Sequence, residues 1–364
     1  MHTLKHIITA ALLLCTATAF AYDFEVNGIY YNIISDSEVE VTSGDNKYVG
    51  DIVIPEQVTH EGITYNVVAI RFYAFDVCKK LTSITLPESI TEIGDGAFGS
   101  CYELTSINIP ENVSRIGGGA FGYCMKLTSV TMPANISYIG GGAFDRTPFY
   151  ENLPDGIVYF NKVLYSYKGE MPENTSISIK DGTVSISPNA FRYCSNLIAV
   201  NIPNTVKTIG KEAFCGCTGL KSVEIPNGVT IIEQEVFGSC SSLKTITIPE
   251  SVTSLKGYAM INCSALEHIY NHAKTPAYCS EGVFENVPAE TCVLHVPAGH
   301  IEAYQAADGW KDFANIVGDQ AGIEDITTAD APAEYFDMRG MKVTDPTNGI
   351  FIKKQGNTTE KVLL

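Results

Sequence analysis

Leu81-Thr-Ser-Ile84-Thr-Leu86-Pro87, followed by Ile90, Ile93-Gly94, Ala97-Phe98 and Cys101, is one copy of a motif that returns along most of the chain. Phe75, Phe98 and Phe121 stand 23 residues apart, and each precedes a cysteine by three positions: Cys78, Cys101 and Cys124. The register returns with Phe191 and Cys194, Phe214 and Cys217, and Phe237 and Cys240; Met260 and Cys263 continue it. A fixed period of this length marks a solenoid, because one copy cannot bury its own apolar face and stacking supplies the core.

Within a copy, Leu-x-x-Ile-x-Leu alternates apolar and polar residues, which predicts a short strand with one buried face. Pro87, Pro110, Pro133, Pro203, Pro226 and Pro249 end that strand, since proline cannot donate to a ladder. Val/Ile-x-x-Ile-Gly predicts a second short extended piece. Gly94, Gly117, Gly140 and Gly210 are expected at φ > 0 on a corner. Ala-Phe-x-x-Cys is expected to cross back as an irregular or one-turn helical segment.

The pattern resembles the BspA-like leucine-rich repeats of bacterial surface proteins, from about Tyr65 to Val296. The resemblance implies a right-handed solenoid with strands along one face. The expected architecture is a β-rich α/β array of about nine 23-residue coils over residues 69–296. A strand-rich segment, 22–68, covers the first open edge. Residues 297–320, with His300-Ile301-Glu302-Ala303-Tyr304, Trp310 and Phe313, read as a helical C-terminal cap. Between Phe144 and Phe191 the template breaks. There Gly156–Phe160 and Val163–Tyr167, joined by Asn161-Lys162, predict a β-hairpin inside an island at about 148–173. Residues 321–333 read as a linker and 334–364 as a small β tail. Tyr335-Phe-Asp-Met-Arg-Gly-Met-Lys-Val343 and Gly349-Ile-Phe-Ile352 resemble the C-terminal sorting tails of type IX secretion, with Phe336 standing between the tyrosine and the aspartate.

Residues 1–21 read as a signal peptide, with Lys5, an apolar run Ile7–Leu14, and Ala19-Phe20-Ala21 before the cleavage point. Cys15 raises lipid attachment as an alternative, although Leu14 stands where a small residue belongs. The expected location is therefore outside the cytoplasm: secreted, or held at the cell surface or outer membrane. No stretch has the ~18 apolar residues of a transmembrane helix. A net charge of −17 repels phosphate backbones and excludes nucleic acid as a partner.

The search for catalytic chemistry gives no candidate. Gly94-x-Gly96-x-x-Gly99 and Gly117-x-Gly119-x-x-Gly122 match a dinucleotide fingerprint, yet they lie in the repeat and no βαβ unit surrounds them. Zinc spacing of the Cys-x₂-Cys kind is missing. His268-x₃-His272 and His295-x₄-His300 read as surface histidines; the first pair falls on a strand and its following loop, so it shares no helix face. The expectation is a non-enzymatic chain without cofactor or metal. Seven cysteines form a column of small buried hydrophobes. Cys215 is off template, as are Cys279 and Cys292, which form the candidate disulfide of an exported protein.

Binding then falls to surface. Ser83, Thr85, Ser106, Asn108, Ser129, Thr131, Asn201, Glu224, Thr247 and Tyr270 occupy outward strand positions and form the candidate binding face. Tyr150, Tyr159, Tyr165 and Tyr167 of the island form a second candidate, since tyrosine is enriched at interfaces. The family resemblance implies adhesion to host matrix proteins or to other bacteria. A structural envelope role and glycan binding are the alternatives.

Overall fold

The computed structural model describes residues 22–319 and, beyond them, the backbone of four strands: Glu334–Phe336, Lys342–Val343, Ile350–Gln355 and Thr358–Leu363. The signal-peptide reading of 1–21, Cys15 within it, and the linker at 321–333 lie outside the described residues.

Each coil contributes one strand to each of two parallel ladders. The long-strand ladder is built from Leu-x-x-Ile-x-Leu: Ser106 pairs with Ser129 and Ile107 with Val130, one coil apart. The same register joins Ser222 to Thr245, then Thr245 to His268. Opposite it runs the short-strand ladder, in which Ile93, Ile116 and Ile139 lie side by side. Leu81, Ile84, Leu86, Ile90, Ile93, Ala97, Phe98 and Cys101 all point inward and are buried. Phe75, Phe98, Phe121 and Phe144 stack with centroids 5.0, 5.1 and 5.4 Å apart. That spacing follows the ~4.8 Å separation of neighbouring strands.

A third wall closes the coil through Ala-Phe-x-x-Cys, and it is neither irregular nor helical. Two left-handed residues four positions apart flank its Ala-Phe pair in coil after coil: Gly96 and Ser100, Gly119 and Tyr123, Glu212 and Gly216. The alternation turns the backbone N–H groups toward the following coil. Phe75 N donates to Ala97 O, Phe98 N to Ala120 O and Phe121 N to Ala143 O, each at 2.7 Å.

The glycines expected at φ > 0 do not adopt it. Gly94, Gly117, Gly140 and Gly210 keep ordinary dihedrals, and the left-handed residue stands two positions later, at Gly96, Gly119, Gly142 and Glu212. The reason for glycine is close approach: a Cβ on Gly94 would sit 2.5 Å from Phe72 N of the preceding coil. Gly117, Gly140 and Gly210 face Asp95, Gly118 and Pro188 in the same way.

The array is longer than nine coils, at about 11 turns, and almost without helix. Both ends extend it. Glu38–Thr42 pairs in parallel with Ile63–Ile70, and Val49–Val53 with Lys80–Thr85, so the N-terminal segment already contains a coil. At the far end Asn315–Asp319 pairs with Val293–Pro297 and adds the last long strand. Helix is confined, among the described residues, to Pro148–Glu151 and Ile301–Ala306. The C-terminal plug is aromatic. Trp310 is buried and donates from Nε1 to Ala277 O at 2.8 Å, and Tyr304 donates from its hydroxyl to Ala273 O at 2.7 Å.

In the island, Gly156–Phe160 pairs antiparallel with Val163–Lys168. The second strand also continues the solenoid, since Val163 and Leu164 pair in parallel with Ser185 and Ile186. Val163 and Tyr165 belong to the N-terminal apolar cluster and Leu164 to the C-terminal one, so the pleat of one strand joins two cores. The four strands beyond residue 319 form an antiparallel sheet of their own.

Candidate binding surface

Parallel pairing in register dictates that outward residues of successive long strands fall in rows one coil apart. Ser83, Thr85, Ser106, Asn108, Ser129, Thr131, Asn201 and Glu224 are exposed in those rows, while Thr247 and Tyr270 are half-buried. The row is not uniformly free. Asp51 of the first coil accepts from Ser83 Oγ at 2.6 Å and from Thr82 Oγ1 at 2.8 Å, and these hydroxyls hold its carboxyl below the usual range.

Between Leu197–Asn201 and Ser222–Glu224 the long-strand ladder is interrupted, and the two strands belong to separate sheets. A shallow cavity of about 350 Å³ lies there, lined by Asn201, Ser222 and Glu224 among others. Two residues of the expected binding face thus meet at one recess. A repeating charge pattern borders the array, with Arg115–Glu92, Lys126–Glu103 and Lys244–Glu267 bridging neighbouring coils at 3.0, 2.6 and 2.7 Å. Exposed pairs of this kind contribute little stability, ~0–1 kcal/mol each.

The island tyrosines turn mostly inward. Tyr165 is buried, and its hydroxyl accepts from Phe144 N at 3.1 Å, so it is packing and not contact surface. Its ring meets Phe144 with centroids 5.9 Å apart, while Tyr167 meets Phe191 at 6.5 Å on the other side of the break in the phenylalanine column. Tyr150 shares a hydrogen bond of 2.9 Å with Ser166, and the Tyr159 hydroxyl accepts from Lys180 N at 3.0 Å. Tyr150, Tyr159 and Tyr167 are half-buried.

The expected disulfide is not formed: Cys279 and Cys292 are free thiols. They stand in different columns of the coil. Cys279 continues the short-strand column of Ile232 and Leu255, whereas Cys292 leads into the long strand Val293–Pro297. The template cysteines are engaged elsewhere. Cys101, Cys124, Cys217, Cys240 and Cys263 each donate from Sγ, at 3.1–3.2 Å, to the carbonyl of the phenylalanine 26 residues earlier. Off template, Cys215 lies with Glu212 and Glu235 in a group of the kind that could hold a cation, but Arg192 Nε already pairs with Glu212 at 2.8 Å.

Two features escape sequence reading. Tyr73, Tyr123 and Tyr193 are exposed on the turn wall at left-handed positions, two residues from a column phenylalanine. The tyrosine two positions from each phenylalanine was the available signal. At the C-terminal end His268, Tyr270, His295 and Asp319 meet on the outer face. The period drifts here, from 25 residues between His268 and Val293 to 22 between Val293 and Asn315, which hides that pairing from a fixed-period alignment.

The model of the BspA type leucine rich repeat region matches in six copies, over residues 55–169 and 165–291. The chain belongs to the BspA-type leucine-rich repeat family. No curated protein matches it. Among solved structures, this BspA-type chain is similar to a leucine rich cell surface protein from Faecalibacterium prausnitzii, at 24% identity over 68% of this chain and 94% of that one, with a TM-score of 0.29. A leucine-rich repeat protein from Bacteroides ovatus matches at 19% identity over 82% and 100%, with a TM-score of 0.29. The pneumococcal vaccine antigen PcpA matches at 17% over 82% and 98%, with a TM-score of 0.34. At these values the assignment rests on the family match. No helix among the described residues is long and apolar enough to cross a membrane.

Proposed function

We propose that this BspA-type chain is an exported or surface-displayed protein that binds another macromolecule through its repeat surface, in the manner of an adhesin. The partner is a host matrix protein or a bacterial surface protein. The observation that carries the reading is the row of outward Ser, Thr and Asn side chains on the long-strand ladder, held one coil apart by backbone pairing. Such a face presents donors and acceptors at a fixed spacing with little ordering cost on binding. The reading involves no catalysis. It draws further support from the signal-like start of the sequence and from the family.

Binding of the full chain to immobilised matrix proteins and to whole bacteria tests this. Ser106→Lys with Ser129→Lys should weaken binding at least tenfold while leaving thermal stability within a few degrees. Binding that ignores both substitutions sinks the ladder as the contact face. Export is tested separately by cell fractionation and mass measurement of the mature termini. A glycan-binding reading is favoured by one observation, the exposed rings of Tyr73, Tyr123 and Tyr193. A glycan array in which Tyr123→Ala and Tyr193→Ala abolish signal would select it.

A further inference from the structure

His268 and His295 come from successive long strands and meet diagonally across the ladder, where His268 pairs with Val293 and Tyr270 with His295; the two rings are tilted by 44° with centroids 5.3 Å apart. His268 Nδ1 lies 3.1 Å from His295 Nε2. On its other side His295 Nδ1 lies 3.2 Å from Asp319 Oδ1 and 3.1 Å from Oδ2, so the last strand of the array backs the pair with a carboxylate. Tyr270 stacks on His295 with centroids 4.2 Å apart and planes 20° from parallel, which fixes the ring. His268 and His295 are half-buried, and the Asp319 side chain is half-exposed at the open edge.

The hydrogen bonding sets the tautomers. A carboxylate only accepts, so neutral His295 carries its hydrogen on Nδ1 and keeps a lone pair on Nε2. His268 Nδ1 therefore supplies the hydrogen between the rings. Two imidazole nitrogens at this separation are close to the bite of a tetrahedral cation, which at ~2.0–2.1 Å from each would hold them ~3.3 Å apart. The carboxylate behind the second ring is the arrangement that orients a metal-bound histidine and raises its basicity.

We infer that His268 Nδ1 and His295 Nε2 form a two-nitrogen site for a late first-row divalent cation of the Zn²⁺ or Cu²⁺ class, with Asp319 as its positioning residue. Binding shifts His268 to its other neutral tautomer, the hydrogen passing from Nδ1 to Nε2 by exchange with solvent, and a small turn of the rings brings both lone pairs onto the ion. Its remaining coordination positions face outward, where water or a donor group of a docked partner completes the shell. The chain's net charge of −17 favours the cation. Nearby, Lys244 is neutralised by its pair with Glu267 at 2.7 Å.

The test uses the full chain without an affinity tag, its thiols kept reduced, titrated with ZnCl₂ by calorimetry and with CuCl₂ by electron paramagnetic resonance. The expected results are one tight zinc ion per chain and a copper spectrum with two imidazole nitrogens. His268→Ala and His295→Gln should each lower zinc affinity by about tenfold or more, and Asp319→Asn by about tenfold at unchanged stoichiometry. His272→Gln should change nothing. No zinc binding at millimolar metal, a copper spectrum without nitrogen coupling, or equal affinity in the His268→Ala/His295→Gln double variant would overturn the site. The copper spectrum of the unsubstituted chain decides the matter even where a variant fails to fold.

Discussion

The smallest unit with a physical role of its own is the column cysteine. Its side chain is small enough for the interior and still donates to a carbonyl of the preceding coil. Burial pushes Cys263 up to about 12 and raises Cys240 well above its ordinary value. An unfolded thiol ionises near ~8.5, so the native chain holds these protons more tightly than the unfolded one. Their contribution is intact below that pH and is lost as pH rises toward 12, by about 1.4 kcal/mol per thiol per pH unit. Urea midpoints should therefore fall clearly between pH 7 and pH 10; equal midpoints would mean that the thiols ionise as readily in the native state. At Gly94 the constraint is steric. Gly94→Ala forces a methyl onto Phe72 backbone and should cost ~1–3 kcal/mol in chemical denaturation. A neutral result would show that neighbouring coils can move apart.

At the scale of elements, the island strand Val163–Lys168 serves two structures at once, as hairpin partner and as ladder member. Tyr165 anchors it. Removing only its hydroxyl in Tyr165→Phe leaves Phe144 N–H buried without an acceptor and should cost ~1–3 kcal/mol. Denaturation should then broaden or split as the two apolar clusters uncouple, which fluorescence and circular dichroism would resolve. A single sharp transition at the original midpoint contradicts that role. The hairpin was legible because two β-rich runs flank Asn161-Lys162. Its place in the ladder was not, because pairing between distant strands leaves no local mark. The turn wall was hidden for a related reason. Glycine, serine, tyrosine, valine, glutamate and asparagine all occupy its left-handed positions, so residue identity gives no consistent sign, and the inter-coil hydrogen bonds impose the dihedrals. Glycine at Ile-Gly was visible, but its cause was mistaken: sequence shows the missing Cβ and not the backbone that needs the room.

The whole molecule behaves as a stack in which each coil touches only its neighbours, so its stability adds along the axis. Deleting residues 104–126 removes one complete period and joins Glu103 to Leu127, which restores the template. That variant should fold cooperatively with a smaller denaturant slope, because less surface is exposed on unfolding. Deleting residues 104–114 alone should give an unfolded or aggregated product by circular dichroism and size exclusion. Equal behaviour of the two deletions would argue against modular stacking. The periodic middle of this architecture was readable from phenylalanine and cysteine spacing, whereas the ends, where the period lapses, were underestimated. The histidine pair lies in that same region of drift.

The turn wall gives the array a direction. Every peptide group that bridges two coils there aims its hydrogen the same way, and strand ladders lack this uniform alignment. The solenoid is thus electrically poled from end to end. Amide hydrogens crown the turn at Gly282–Asn286, where Asp312 lines the adjoining recess, and carbonyl oxygens crown the opposite rim, where Lys47 Nζ reaches Asp76 O at 2.6 Å. The two terminal plugs therefore cannot be exchanged: one must bring negative charge and the other a cation.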